Sequence, residues 1–379
     1  MRKFAALMIA VLTGTGAPHV APAATVPAAT APVPRAVVLH ERLDNPWGIA
    51  FLPDGRFLIT QKRGSMVILS ADGRRTEATL AVPTPVVARG QGGLLGVAVD
   101  PEFARDPWIY WAYSEAGSGA DADKAGTAIA RARLRDATLV DLQVIYRQMP
   151  KVTGAGHFGA RIVFLPDQTL FVTLGERQKQ SPAQDLDGTL GKVIRLNRDG
   201  SVPSGNPGLS ASRPEIWSYG HRNPQSAALR PGTSELWVVE HGPQGGDELN
   251  RVLPGRNYGW PVTSYGCPYG APKGDACRIG GGTHAPRFEE PVSTWVPVSI
   301  GPSGLVFYSG RRFPQWKGDA FIGALAGTAV WRVKLQGNTE AGRESLFADL
   351  GGRVRDIVEG PDGYLYFVTE AGKLLQIRD

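Results

Sequence analysis

Cysteine is nearly absent from these 379 residues: Cys267 and Cys277 are the only two, ten positions apart in one Gly/Pro-rich stretch. That count excludes a disulfide-dense scaffold and a cysteine-based zinc or iron–sulfur centre, and no further ligands stand at zinc spacing around the pair. No Cys-x-x-Cys-His haem-attachment motif and no nucleotide-binding fingerprint occurs either. Charged residues make up 20% of the chain, below the usual quarter or so. The only sustained apolar run, Phe4 to Leu12, is too short to span a bilayer, which excludes a polytopic membrane protein. Long uninterrupted segments are missing too. With 48 Gly and 30 Pro, about one residue in five interrupts the chain, so few long helices survive.

What is present points to a large turn-rich all-β domain. Hydrophobic residues at 42% exclude wholesale disorder. The 41 Lys and Arg exceed the 35 Asp and Glu, for a formal charge of +6. The basic residues are dispersed and the aromatics lie in strand-like segments, which argues against nucleic acid as a partner. Arg2 and Lys3, the apolar run, and small residues at Ala21-Pro22-Ala23 have the layout of a secretory signal cleaved near Ala23. A membrane anchor is the alternative reading. Residues 24–36 form an Ala/Pro-rich tether, and 37–379 are expected to be one catalytic domain, periplasmic or secreted, with no membrane span in the mature chain. Losing the signal would lower the charge to about +4. An oxidising destination favours a disulfide between Cys267 and Cys277, with free thiols as the alternative.

One short pattern recurs six times: a turn, often built on Pro and Asp or Gly, followed by an apolar strand. Leu52-Pro53-Asp54-Gly55 precedes Phe57-Leu58-Ile59-Thr60. Leu165-Pro166-Asp167 precedes Leu170-Phe171-Val172-Thr173. Pro361-Asp362-Gly363 precedes Leu365-Tyr366-Phe367-Val368. Pro231-Gly232 precedes Leu236-Trp237-Val238-Val239, and looser copies stand at Pro101 and Pro314. Second strands follow most copies, as in Met66-Val67-Ile68-Leu69 and Lys192-Val193-Ile194. The spacing suits blades of four short strands, so the expected fold is a six-bladed β-propeller whose last strand joins the first blade. A two-domain β-sandwich is the alternative.

In a propeller the polar turns at one end of the channel converge from distant blades. Gln91-Gly92-Gly93, Gly156-His157-Phe158-Gly159, Gly220-His221-Arg222-Asn223, Glu240 to Glu248, and Arg353-Val354-Arg355 are the segments of that kind. Oxygen donors without a thiol or histidine cluster suit a hard cation such as Ca²⁺. Each residue also has a plain reading: His157 as a satisfied core histidine, the two arginines as surface charges, and Asp247 and Glu248 as turn caps or partners of Arg251.

These segments, in this order, resemble the soluble quinoprotein aldose sugar dehydrogenases, relatives of soluble glucose dehydrogenase that use pyrroloquinoline quinone (PQQ). The resemblance runs through NPWGIAFLPDG at 45–55, QGGLLGVAVDP at 91–101, GHFGARIVF at 156–164, LGKVIRLNRDGSVP at 190–203 and YGHRNPQ at 219–225. It continues through EHGPQGGDELN at 240–250, NYGWP at 257–261, GALAG at 323–327 and RVRDIVEGPDGYLY at 353–366. It implies a six-bladed propeller that oxidises aldose sugars at the anomeric carbon to lactones, passing hydride to PQQ. His157 then matches the general base, and Arg222 the group that polarises the quinone carbonyl. Gln91, Arg222, Asn223, Tyr269, Ala324, Leu325, Ala326, Arg353 and Arg355 match cofactor-contacting positions. Gly242 and Pro243 would offer carbonyls to a Ca²⁺ beside PQQ, while Glu248 and the Tyr258 backbone would hold a second, structural Ca²⁺. Electrons would leave to a separate external acceptor. Two positions depart from the glucose dehydrogenase branch: Gly156 stands in place of an Asp, and Ala326 in place of a PQQ-binding Lys. Glu176 replaces an Asp common among relatives. A Ca²⁺-dependent lactonase-like propeller and a non-catalytic binding propeller are the competing functions.

Overall fold

The computed structural model describes Met1, residues 34–348, Leu350 and residues 352–379. The signal segment and most of the tether lie outside the described residues. The unit from Pro34 to Arg378 holds six four-stranded antiparallel sheets, so the six-bladed propeller is the observed fold. Blade one runs through Pro46–Phe51, Phe57–Gln61, Ser65–Leu69 and Thr76–Ala81; blade two through Leu94–Val99, Trp108–Ala116, Ala125–Arg135 and Thr138–Arg147. Blade three comprises Gly159–Phe164, Leu170–Leu174, Lys192–Leu196 and Ile216–Tyr219. Blade four comprises Pro224–Leu229, Leu236–Glu240, Asp247–Val252 and Ser293–Trp295, and blade five Pro302–Phe307, Ala320–Ala324, Val330–Gln336 and Thr339–Leu346. Blade six takes Val354–Glu359, Leu365–Thr369 and Leu374–Arg378 from the C-terminus and Arg35–His40 from the start of the chain. The exchanged strand is therefore the first one joining the last blade, rather than the last joining the first. Arg35 pairs with Arg378 and Val38 with Leu375.

The first strand of each blade packs against the first strands of its two neighbours, so these six line the channel. The repeated Pro-Asp turn links first to second strand, and its chemistry explains its recurrence. In three blades the turn aspartate, Asp54, Asp167 or Asp362, accepts the backbone N–H two residues on. The backbone closes around it through Leu52 N–H to Arg56 O, Leu165 N–H to Thr169 O and Gly360 N–H to Tyr364 O. The core is divided accordingly. Six buried clusters join adjacent blades, such as Leu95, Tyr110, Ile162 and Val172 between blades two and three. Strands buried on both faces need near-continuous apolar runs, which is why Phe57–Gln61, Leu170–Leu174 and Leu236–Glu240 are buried at every position.

The register between first and second strands shifts in all six blades: at Pro46/Ile49, Leu94/Val97, Gly159/Ile162, Pro224/Ser226, Pro302/Leu305 and Val354/Asp356. Each such irregularity bends the channel strand near its start and re-aims the residues around it. The candidate site is built from those residues.

Candidate active site

Two kinds of position converge at one end of the channel. Residues at or just before the channel strands supply Trp47, Gln91, His157, Arg222, Gly301, Arg353 and Arg355. Residues just past the second strands supply Lys62, Glu176, His241, Ala326 and Glu370. They enclose two adjoining chambers. One, of about 470 Å³, is lined by His157, Arg222, His241 and Tyr269 among others; the second, of about 350 Å³, by Trp47, Lys62, Arg353, Arg355 and Glu370. Gln91, His241, Gly301 and Ala326 line both.

His157 stands on a backbone with φ 54°, a left-handed conformation that a non-glycine residue adopts only when its surroundings impose it. The imposing contacts are specific. Its N–H donates to Gln91 Oε1 at 2.7 Å, and its carbonyl accepts from Arg177 N–H at 3.2 Å. A Cβ on Gly175 would lie 2.1 Å from that same carbonyl oxygen, so only glycine admits the approach. The ring Nδ1 faces Glu176 Oε1 at 2.5 Å, while Glu176 Oε2 accepts the Gln180 N–H. Burial lowers the His157 pKa below the ordinary imidazole value; the Glu176 hydrogen bond opposes this and the Arg222 charge adds to it. The ring is therefore neutral at pH 7, with its proton on Nδ1 and Nε2 free as a base.

Gly156 fits this frame for a reason of its own. A Cβ there would lie 2.6 Å from the side chain of Gln178, which itself lines the first chamber. An Asp at this position would have to displace the flexible end of the Gln178 side chain.

Arg222 donates through Nη1 to the His241 carbonyl at 3.0 Å and through Nη2 to the Tyr269 hydroxyl at 3.2 Å. Its guanidinium lies 5.1 Å from the Trp260 ring centre, and its Nε is buried without a partner among the described residues. Asn223 is fully buried; its Oδ1 accepts from Gly159 N–H and from Gln225 Nε2, and its Nδ2 has no partner among the described residues. Arg222 lines the first chamber, whereas Asn223 lies behind the chamber walls. Tyr269, 73% exposed, stands at the lip on a loop closed by the Cys267–Cys277 disulfide. That loop is tied back by Gln244 Nε2 donating to Ala271 O at 2.7 Å.

Arg353 and Arg355 both reach the second chamber, where each pairs with Glu370. Leu325 and Ala326 line its wall, whereas Ala324 is wholly buried in the preceding strand and offers the chambers no surface. Lys62 donates to Gly90 O at 2.5 Å, and burial with the neighbouring Arg355 lowers its pKa. Lys62, His241 and Glu370 carry no assignment in the sequence reading. The signal that could have found them is their place one residue past a second strand.

The proposed calcium ligands also come together. Gly242 borders the first chamber and a small enclosed cavity of about 10 Å³ lined by Glu240, Glu248, Tyr258 and His284; Pro243 borders the first chamber alone. Burial, with Glu240 beside it, pushes the Glu248 carboxyl well above its ordinary pKa. Two buried carboxylates around a space of about one small sphere suit a hard cation. Among the described residues no three His, Cys, Asp or Glu side chains are grouped as a metal site, so backbone carbonyls would have to complete the ligand set. Asp247 is engaged otherwise, accepting the N–H groups of Gly242, Ile300 and Gly301.

A six-bladed propeller with a buried imidazole, a fixed guanidinium and a basic chamber at the channel mouth has the frame of a sugar-oxidising dehydrogenase. The family model described as glucose/sorbosone dehydrogenase matches residues 43–376. The chain is 42% identical over 348 residues to an aldose sugar dehydrogenase, YliI, of Escherichia coli K12, covering 90% of this chain and 91% of that one. It is 25% identical over 415 residues to quinoprotein glucose dehydrogenase B of Acinetobacter calcoaceticus, with 90% and 86% covered. Among solved structures it resembles the PQQ-bound aldose sugar dehydrogenase of Streptomyces coelicolor with a TM-score of 0.75 at 28% identity, covering 91% and 98% of the two chains. The chain belongs to the glucose/sorbosone dehydrogenase family, and it is an oxidoreductase.

Proposed function

We propose that the protein is an exported PQQ- and Ca²⁺-dependent dehydrogenase that oxidises aldoses at the anomeric carbon to lactones. The carrying observation is the His157 imidazole, held neutral by burial and oriented by Glu176 on the wall of a chamber that also presents Arg222. Nε2 of His157 takes the proton of the anomeric hydroxyl, and Glu176 steadies the charge that the ring then acquires. When bound, PQQ supplies the acceptor for the hydride of the anomeric carbon. Arg222 cannot lose its proton, so it faces developing negative charge without reorganising. Asn223, buried behind Arg222, accepts from the Gly159 N–H and Gln225 Nε2 and so supports the wall from within. Arg353, Arg355 and Lys62 match the carboxylates of PQQ, and Gln91, Leu325, Ala326 and Tyr269 shape the pocket around it.

For calcium, the Gly242 and Pro243 carbonyls would hold one ion by the first chamber, and Glu248 with the Tyr258 backbone a second in the small cavity. Export rests on the N-terminal signal; among the described residues no helix is long and apolar enough to cross a membrane. A lactonase-like site would call for carboxylates converging on the mouth, which instead carries Arg222, Arg353, Arg355 and Lys62. The test is dye-linked oxidation of a panel of mono- and disaccharides by apoprotein, with and without PQQ and Ca²⁺. Turnover requiring both additions is expected, and no turnover under any condition would sink the proposal.

A further inference from the structure

The second chamber holds an arrangement that a simple anion pocket does not need. Three cations, Lys62, Arg353 and Arg355, share it with one carboxylate, Glu370. Arg353 Nε donates to Glu370 Oε2 at 2.6 Å, and Arg355 Nη2 pairs with Oε1 of the same group. A single carboxylate thus bridges both arginines with both of its oxygens. Burial raises the Glu370 pKa, yet the two arginines outweigh it and hold the carboxyl below its ordinary value, so the group is charged. Arg355 is otherwise bound only weakly, to Gln225 Oε1 at 3.3 Å. Lys62 has no carboxylate within ion-pair distance among the described residues and donates only to a backbone carbonyl. Glu370 stands immediately past the second strand of blade six, as Lys62 does in blade one. Both side chains are therefore presented at the mouth by rigid elements.

We propose that Glu370 is an internal counter-ion occupying the place of a ligand carboxylate. A polycarboxylate entering the chamber takes Arg353 and Arg355 in exchange for Glu370, while Lys62 is the third cation waiting for it. This rests on the PQQ reading above, since the ligand class is a rigid multiply charged carboxylate. Physically, the arginines of the free protein are spared the cost of an unpaired charge in a half-enclosed site. The same carboxylate opposes the ligand through like-charge repulsion and through the pairs that must be exchanged. Glu370 therefore sets the affinity of the chamber, and Lys62 supplies a cationic contact at a mouth where Ala326 offers none.

The two residues carry opposite signs, which makes the test direct. Binding of PQQ to purified apoprotein in the presence of Ca²⁺ would be followed by calorimetry, with melting temperature recorded for each variant. Glu370→Gln keeps the shape and removes the charge, and is expected to tighten PQQ binding about tenfold. Glu370→Asp keeps the charge and should stay within about threefold of the parent. Lys62→Met should weaken binding about tenfold and reduce its salt dependence. Unchanged or weaker binding by the folded Glu370→Gln variant would overturn the counter-ion, because it would make Glu370 an orienting partner of the arginines. Absence of PQQ binding by the parent and every variant would overturn the cofactor reading and the counter-ion with it. Binding by the parent with the wrong sign in the variants removes the counter-ion alone.

Discussion

At the residue scale, His157 carries the heaviest claims, and its chemistry follows from three neighbours. Gln91 and Arg177 fix its backbone, and Glu176 fixes its tautomer. Replacing it with Ala removes the base and is expected to lower kcat by a factor of about 10²–10⁴, while PQQ binding and the melting temperature stay near the parent's. A variant with parental turnover would show that the base lies elsewhere. The pH profile has a definite sign. Because burial lowers the His157 pKa, kcat/KM should be flat near neutrality and fall on an acid limb whose midpoint lies below about 6.5, where Nε2 becomes protonated. Since the Glu176 hydrogen bond raises that pKa, Glu176→Gln should move the limb further into acid and slow turnover roughly tenfold or more. A limb displaced towards neutrality would contradict the assignment. His157 was legible as a candidate because of its glycine neighbours, but its neutrality was not. That depends on burial and the Arg222 charge outweighing Glu176, nineteen residues away in sequence, which adjacency in the chain does not reveal.

At the scale of elements, three of the six repeated turns were plainly legible because each carries its own hydrogen-bonding aspartate, a local effect that needs no tertiary contact. The residues past the second strands were harder. Lys62 and Glu370 sit in unremarkable sequence, His241 in a segment noted for its acidic residues and glycines, and only the shared register of the blades makes the three neighbours. The Tyr269 loop is an intermediate case. Its cysteine pair was visible, and its role follows from two links: the Arg222 to Tyr269 hydrogen bond and the Gln244 ties. Closing a loop of this size is worth about 2–3 kcal/mol in chain entropy. Substituting Ser for both Cys267 and Cys277 should therefore loosen the lip rather than the propeller. Amide exchange is expected to quicken in residues 265–282 and remain parental in the blades, with PQQ affinity reduced several-fold. Uniform acceleration across the blades would mean that the disulfide supports the whole fold.

At the scale of the whole ring, closure was legible in outline and wrong in direction. The count of six came from local repeats, but which terminus completes which blade is a question of long-range pairing, and Arg35–His40 carries no signal that distinguishes the two. Also illegible was a tie across the channel. Arg161, on the channel strand of blade three, donates through Nη1 to Asp356 Oδ2 of blade six at 2.8 Å and through Nη2 to Ser303 O of blade five. Asp356 Oδ2 accepts the Ile49 N–H of blade one, and the Arg161 guanidinium lies 4.7 Å from the Trp47 ring centre. Four blades thus meet on one buried ion pair with side chains only 7% and 2% exposed. Removing one partner of such a pair strands the other charge, at a cost of about 3–5 kcal/mol, whereas replacing both with apolar groups can be neutral. Asp356→Asn should lower stability by about that amount in a denaturant titration with little change in slope, because the ring still unfolds as one unit. Adding Arg161→Met should recover most of the loss. If instead the single substitution cost less than about 1 kcal/mol, the packed junctions between neighbouring blades would hold the ring unaided, and the pair's role would be confined to filling the channel.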